Sequence, residues 1–493
     1  MAALALAYAW PMQGVGFNQN SHYILVKSLA RGTAVVDRTL HETGDLTTGD
    51  VIRWNGHIYS NKAPGLAAVT LPPFLVLEAA GARTVGEPTR MLWALGLFGV
   101  VLPATALLFL VRRVAERIEP GFGTAAAVTL GVATLLLPFA TLFFAHALSA
   151  FLVFASFAIL FGERHGRQRL ALVAAAGGLA GLSGVSEYPN AFAALVFGCY
   201  AISRSDWARR GLAYIGGVLV GIAPLALYNR WAFGSITHLS YVGDPTERGG
   251  GLTGLWVGRV NLQTLLETLF GRSGLLTLTP VLLCGAVGLV LLYRRGWRAE
   301  ALAIAASAAL YILYNSSYGS NFGGFSSGQR YLIPIVPLLA VPLALAFRSL
   351  PITTGALALV SAVVAVTITP THALAAYDAH WFDRLGNLQF TPTPMSFVGV
   401  TGWYTILPFF LAAALACACA FLATPKPRLT VTDNVAAPFA VLAWALVAAT
   451  APATPFLGGR ADRLSAYWGV ALAAAALSAS AVAVAAFRRS LSS

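Results

Sequence analysis

Three places put groups capable of chemistry inside or beside apolar sequence: His146 in TLFFAHALSAF, Glu187 in LSGVSEYPNAF, and the stretch YNSSYGSNFGGFSSGQR from Tyr314 to Arg330. An ionisable side chain at membrane depth is costly and marks function by default. The polar stretch between residues 14 and 63 adds Asp37, Glu42, Asp45, Asp50 and Lys62. A carboxylate can take the proton of an attacking hydroxyl, and Lys or Arg can hold a phosphate and stabilise charge growing on it. Plainer roles compete with each. His146 could satisfy an interhelical hydrogen bond, Glu187 could be a turn residue before Tyr188-Pro189, and most loop carboxylates must be solvated charges. Arg330 opens the apolar run YLIPIVPLLAVPLALAF, where a basic residue often anchors a span at the interface. It also follows a Gly/Ser-rich stretch whose backbone amides can approach an anion closely, which favours a phosphate contact. Lys62, in YSNKAPG, has the same two readings. The aromatic residues Trp54, Tyr59, Trp231, Tyr241, Trp256, Trp381, Trp403 and Tyr404 are mostly membrane-interface residues by frequency, although a few could stack on a sugar.

The elements that must position these groups follow from composition. Of 493 residues, 57% are hydrophobic and 10% charged, against roughly 25% charged in a soluble domain. That excludes a soluble enzyme, a disordered chain and a nucleic-acid-binding domain. About 20 apolar residues cross the hydrocarbon as a helix, so the expected fold is an all-α, polytopic transmembrane bundle of about 12–14 spans. The apolar segments lie near 91–111, 123–142, 143–161, 170–186, 188–203, 211–229, 274–293, 300–315, 331–347, 352–370, 401–423, 434–453 and 466–487, with a short first span within Met1 to Pro11. Pro72 and Pro73 interrupt the segment from Pro64 to Ala80, and helix interiors tolerate Pro poorly, so this piece is expected to be re-entrant or interfacial. Cys199, Cys284, Cys417 and Cys419 sit in apolar runs and read as small core residues, neither a disulfide framework nor a metal site.

The formal charge of +13, from 32 Lys and Arg against 19 Asp and Glu, reads as orientation. Arginines cluster at Arg112, Arg113 and Arg117; at Arg164, Arg167 and Arg169; at Arg204, Arg209 and Arg210; at Arg294, Arg295 and Arg298; and at Arg348, Lys426 with Arg428, and Arg488 with Arg489. Between consecutive clusters the apolar sequence suffices for two spans, so all can be cytoplasmic under the positive-inside rule. The long polar segments 14–63, 230–273, 315–330 and 371–400 then fall outside, together with His146, Glu187 and Arg330. No internal repeat of two halves is visible, which argues against a symmetric transporter.

Two segments carry a family likeness. GHIYSNKAPGLAAVTLPPF resembles the Tyr…Lys-Pro-Pro signature of bacterial GT-C glycosyltransferases of the protein-mannosyltransferase and lipid A aminoarabinose-transferase type. GGFSSGQRYLIPIVPLLAVPLA resembles a Gly-Gly-x-Ser-x-Gly-x-Arg-Tyr-Leu-x-Pro stretch late in many members. The resemblance spans about residues 10–350 and implies a GT-C-like transmembrane catalytic region over 1–350, with a large first outer loop at about 14–63, followed by C-terminal transmembrane helices over 351–493. It implies transfer of a sugar from a polyprenyl-phosphate donor, with inversion, to a lipid, glycan or protein acceptor at the outer face of a bacterial inner membrane. Membrane lipids are then its surroundings, and nucleic acid is not a partner. By motif position Lys62 would contact the phosphate, with Arg330 a second cation, while Tyr59 and Tyr331 lie in the same two motifs and His146 joins them as a substrate-binding candidate.

The departure from the family lies at the base. Members of the aminoarabinose type carry an Asp-Glu pair early in the first outer loop, where this chain reads GFNQNSHYILVKSLARGT; Asn18, Gln19, Asn20 and His22 offer no carboxylate. Asp50, nearest Lys62, is then the first candidate, with Asp37 and Glu187 as others, or the chain is a divergent or inactive member. Some relatives use a divalent cation, but no tight Asp/Glu/His spacing here argues for one. Rival functions are a lipid-linked saccharide flippase or transporter, an O-antigen ligase or polymerase, and a non-catalytic scaffold.

Overall fold

A backbone amide in lipid finds no partner except within its own helix or a closed barrel, and a sequence this apolar accordingly folds almost entirely as helices. The computed structural model describes residues 1–42, 46–82, 88–244, 260, 262–271, 273–317, 326–374, 381–426 and 429–450. Asp45, Trp256, Arg428, Arg488, Arg489 and the span expected at 466–487 lie outside the described residues. Among the described residues, seven helices are long and apolar enough to cross a membrane: Pro88–Ile118, His146–Arg164, Trp207–Phe233, Arg298–Ser317, Pro351–His372, Trp403–Ala423 and Val431–Ala448. Two bent pairs raise the number to nine, one of them Arg330–Ala340 with Leu343–Ser349, bent by 52°. The chain is thus a multi-pass helical membrane protein.

Several expected spans are shorter than the apolar sequence suggests. The segment 123–142 is a ten-residue helix, Gly123–Val132, followed by a mostly buried passage with one short helical turn, Leu136–Phe139, that leads to His146. Leu170–Ser186 and Ala191–Ile202 are helices of 17 and 12 residues separated by Glu187 and the turn Tyr188–Asn190. Pro72 and Pro73 do not break their segment: Gly65–Ala79 is one continuous helix of 15 residues, shorter than the helices long enough to cross a membrane. Ala68 and Val69, whose carbonyls lose their donors to the two prolines, lie on its exposed face, away from the packed interior.

Leu170–Ser186 crosses Trp207–Phe233 at backbone contact. Each carries a Gly-x-x-x-Gly pair, Gly177 with Gly181 and Gly217 with Gly221, and a Cβ on any of the four would run into backbone of the facing helix. Small residues at this spacing let apolar helices pack where lipid supplies no hydrophobic drive.

Arginines from several of the clusters, with Arg348, collect at one end of the bundle, where they enclose buried carboxylates. Arg210 donates from both Nη atoms to Glu163, at 2.8 and 2.7 Å. Glu119 is clasped by Arg295 and Arg348. Glu300 accepts from Tyr200 at 2.7 Å and from His165 at 2.8 Å, with Arg164 at 3.6 Å. Four helical elements fix what lies at the other end. His146–Arg164 and the bent pair from Arg330 to Ser349 run toward the arginines, while Leu170–Ser186 and Arg298–Ser317 run away from them. His146, Glu187, Asn315 and Arg330 therefore share the opposite end, about 28 Å away along a 19-residue helix.

Gly217→Ala is expected to lower the thermal unfolding midpoint in detergent, with a cost of roughly 1–3 kcal/mol for an overpacked contact. Gly216→Ala, where a Cβ meets nothing within 4 Å, is expected to leave the midpoint nearly unchanged. Equal effects of the two would show that the crossing does not depend on close backbone approach.

Candidate active site

The polar segment after residue 13 folds into a cap on the end of the bundle. Gly16 is extended and the helix Phe17–Ala30 follows, with Asn18, Gln19, Asn20, Ser21 and His22 all buried. Three of these bind protein. Gln19 Oε1 accepts from the Phe143 amide at 2.8 Å, Asn20 Nδ2 donates to the Thr47 carbonyl at 2.9 Å, and Ser21 Oγ donates to the Asp50 carbonyl at 2.6 Å while contacting Ser60 Oγ at 2.7 Å. A hairpin follows, Val51–Trp54 paired with His57–Ser60. Its two-residue turn, Asn55-Gly56, has φ of 48° and 78°, as the tight turn that matches strand twist requires.

The hairpin delivers Lys62. The Ser60 hydroxyl accepts from the Lys62 amide at 3.2 Å, and Lys62 Nζ reaches Asp50 Oδ2 at 2.8 Å with only 5% of the residue exposed. Burial pulls the Lys62 ammonium below its ordinary range, and Asp50 works against that fall. Burial opposes charge on Asp50 in turn, but Lys62, with Arg330 and a hydrogen bond from Asn61 behind it, holds the carboxyl net below the usual carboxylate range. The 2.8 Å contact has the geometry of an ion pair.

Gly65 joins this loop to Glu187. A Cβ on Gly65 would sit 2.7 Å from Ser186 Cα, so only glycine lets the chain after Lys62 touch the end of the helix before Glu187. Glu187 is extended, and the turn beyond it is locked by Asn190, which donates to the Ser183 carbonyl at 2.7 Å and accepts from Tyr311 at 2.8 Å. Its Oε1 lies 3.5 Å from His146 Nδ1. In the turn between the two apolar helices, burial pushes the Glu187 carboxyl up to about 7, against the pull of Lys62 and Arg330. The His146 ring packs edge-on among Phe139, Phe144 and Tyr331, at 5.6, 5.8 and 5.9 Å between centroids. Arg330 lies over the Tyr331 ring, 5.1 Å from its centroid, and donates to the Tyr331 hydroxyl at 3.2 Å.

Lys62, Arg330, Asp50, Glu187, His146 and Tyr331 thus meet at one end of the bundle. Asp37 and Tyr59 do not join them. Asp37 Oδ2 accepts from the Ile58 amide at 3.0 Å and so holds the hairpin, while the Tyr59 ring packs on Phe233, 5.0 Å away, in an aromatic group with Trp54, Tyr228 and His238. His22, which is not among the residues the sequence motifs single out, joins the cluster within the field of Lys62, Asp50 and Arg330. Its signal was the four-residue spacing from Asn18, which puts both on one helix face. No group of three or more His, Cys, Asp or Glu side chains among the described residues is placed to hold a metal ion.

No family model and no curated protein matches the sequence. Among solved structures, the chain is similar to ArnT. The ArnT structure from Cupriavidus metallidurans bound to undecaprenyl phosphate shares 15% identity over 97% of this chain and 76% of that one, with a TM-score of 0.49. The apo state gives 16% identity, 97% and 75% coverage, and 0.48. AglB, an oligosaccharyltransferase from Archaeoglobus fulgidus in complex with an inhibitory peptide and a dolichol-phosphate, shares 14% identity over 84% of this chain and 62% of its own, at 0.46. Likeness at this level assigns neither an activity nor a residue's role.

The buried pair supplies its own test. Asp50→Ala strands the Lys62 ammonium and is expected to cost roughly 2–3 kcal/mol, whereas Asp50→Ala with Lys62→Met should recover much of that loss. A double-mutant cycle in detergent-solubilised protein measures the coupling, and additive effects would show that the pair does not act as a unit.

Proposed function

We propose that this protein is an inverting membrane glycosyltransferase that moves a sugar from a polyprenyl-phosphate donor to an acceptor hydroxyl on a lipid, glycan or protein. The observation that carries this reading is the meeting of Lys62 and Arg330, from distant parts of the chain, in one buried cluster that also holds unequal carboxylates. Two cations beside an apolar bundle suit a phosphate whose lipid tail lies in the membrane. The likeness of the two motif segments to GT-C glycosyltransferases supports the same assignment. The arginine-rich end is taken as cytoplasmic by the positive-inside rule, so the reaction belongs at the extracytoplasmic face of a bacterial inner membrane.

In this scheme the acceptor oxygen attacks the anomeric carbon from the face opposite the phosphate. The bond from that carbon to the phosphate oxygen breaks, and its electron pair leaves with the phosphate. Lys62 and Arg330 stabilise the charge that builds there. The acceptor's proton goes to a carboxylate. Asp50 is committed to Lys62 at 2.8 Å, so its basicity is low and its work is to keep the ammonium charged. Glu187, with its carboxyl near 7, matches what a general base needs at neutral pH.

Turnover of radiolabelled polyprenyl-phosphate sugars by the purified protein in proteoliposomes tests the reading, with protein-free vesicles as control. Lys62→Ala and Arg330→Ala are each expected to lower the rate by roughly 10²–10³-fold. Full activity in both would remove the site, and movement of intact donor across the bilayer without cleavage would favour a flippase.

The pH profile tests the base separately. A raised pKa means that Glu187 takes up its proton as the pH falls through about 7, so the rate of wild-type protein should fall about tenfold per unit of pH below that value, in step with the deprotonated fraction. Glu187→Gln should abolish this limb along with most of the rate. A limb that persists in Glu187→Gln would assign the base elsewhere.

A further inference from the structure

On the reading that Lys62 and Arg330 hold a lipid phosphate, we infer that His22 binds that phosphate directly, as a third nitrogen ligand supplied by the helix Phe17–Ala30. His22 is 1% exposed, and neither Nδ1 nor Nε2 has a hydrogen-bond partner among the described residues. Buried polar groups in native proteins are almost always paired, so an imidazole with both nitrogens idle points to a ligand. The ring packs edge-on against Phe143 at 6.3 Å, a contact that fixes its plane and uses neither nitrogen.

Its neighbours on the same helix are differently placed. Gln19, Asn20 and Ser21 all donate to or accept from protein groups. Asn18, one turn before His22 and on the same face, leaves its Oδ1 without a partner among the described residues. Asn20 Oδ1 is likewise without a partner among the described residues, but His22 is the ring with both nitrogens idle on this helix, and the charges that act on it are Lys62, Asp50 and Arg330.

The chemistry of the ring fits the task. Burial, reinforced by Lys62, pushes the His22 pKa down to about 3, so the ring is neutral and keeps one N–H donor. A neutral donor adds a hydrogen bond to the phosphate without placing a third positive charge beside Lys62 and Arg330. A hydrogen bond from it to an anionic oxygen is of the strong, charge-assisted kind.

The test uses the full-length chain in lipid nanodiscs and two probes, undecaprenyl phosphate and undecaprenol, which differ only in the phosphate. Wild-type protein is expected to prefer the phosphate. His22→Phe keeps a ring against Phe143 and should lose affinity for undecaprenyl phosphate by about tenfold or more while binding undecaprenol unchanged, and His22→Gln, which retains a donor, should recover part of the loss. A wild-type preference for the phosphate that His22→Phe retains in full overturns the role of His22 and leaves the Lys62 and Arg330 reading standing. Wild-type protein with no preference for the phosphate overturns both. A second measurement does not depend on how His22→Phe folds: the imidazole nitrogen resonances of His22 in wild-type protein, assigned by their loss in His22→Gln, should move on addition of undecaprenyl phosphate and stay on addition of undecaprenol. Resonances that stay in both cases overturn the inference.

Discussion

A lysine buried to 5% exposure stays charged only if a carboxylate meets it, and the cap of this protein is organised around that requirement. Ser21 and Ser60 tie the backbone of Asp50 to the helix and hairpin on either side of it, and Ser60 also receives the Lys62 amide. Gly65 then sets this assembly directly on the end of a bundle helix. A polar loop that would otherwise lie in water is held against the apolar core by one ion pair and the hydrogen bonds that frame it. Its removal would leave a buried charge in place of a buried pair, the costlier arrangement.

Carboxylates are used in two different ways at the two ends of the bundle. Glu119, Glu163 and Glu300 are enclosed by arginines and histidine, so they neutralise charge and join helices. At the other end Asp50 performs that service for Lys62, while Glu187 has His146 at 3.5 Å and no direct lysine or arginine contact among the described residues. The contrast in basicity between Asp50 and Glu187 comes from their surroundings, as expected where one group must hold a charge and another must exchange a proton.

Much of this was legible in the residues. Apolar run lengths gave the all-helical membrane class, and the arginine spacing anticipated the one end at which Arg164, Arg210, Arg295 and Arg348 gather among the described residues. The segments YSNKAPG and SSGQRYL singled out Lys62 and Arg330 by type and setting. Their meeting was not legible, because it depends on how separate elements pack. Asp37 stands behind Asp50 as a candidate base in the sequence, and nothing there shows that the hairpin amide of Ile58 claims its carboxylate. Tyr59 points to the other side of its strand from Ser60, as alternation along a strand requires. Hydropathy could not show that the apolar stretch 123–142 breaks after Val132, since burial in protein satisfies an apolar residue as well as lipid does. His22 is illegible as a site residue in sequence because its stretch offers no carboxylate and a buried imidazole has no sequence signature of its own.

The clasp of Glu119 by Arg295 and Arg348 also has a time attached to it. Its partners lie 176 and 229 residues further along the chain. At roughly 5–20 residues per second of synthesis, the glutamate waits on the order of ten seconds or more before the first arginine emerges. Until then the end of the Pro88–Ile118 helix carries an acid with no distant partner, and the N-terminal half of the bundle is an assembly that only later chain can close. A protein truncated before residue 295 would leave this seam open and would also lack Arg330 and Tyr331 of the candidate site.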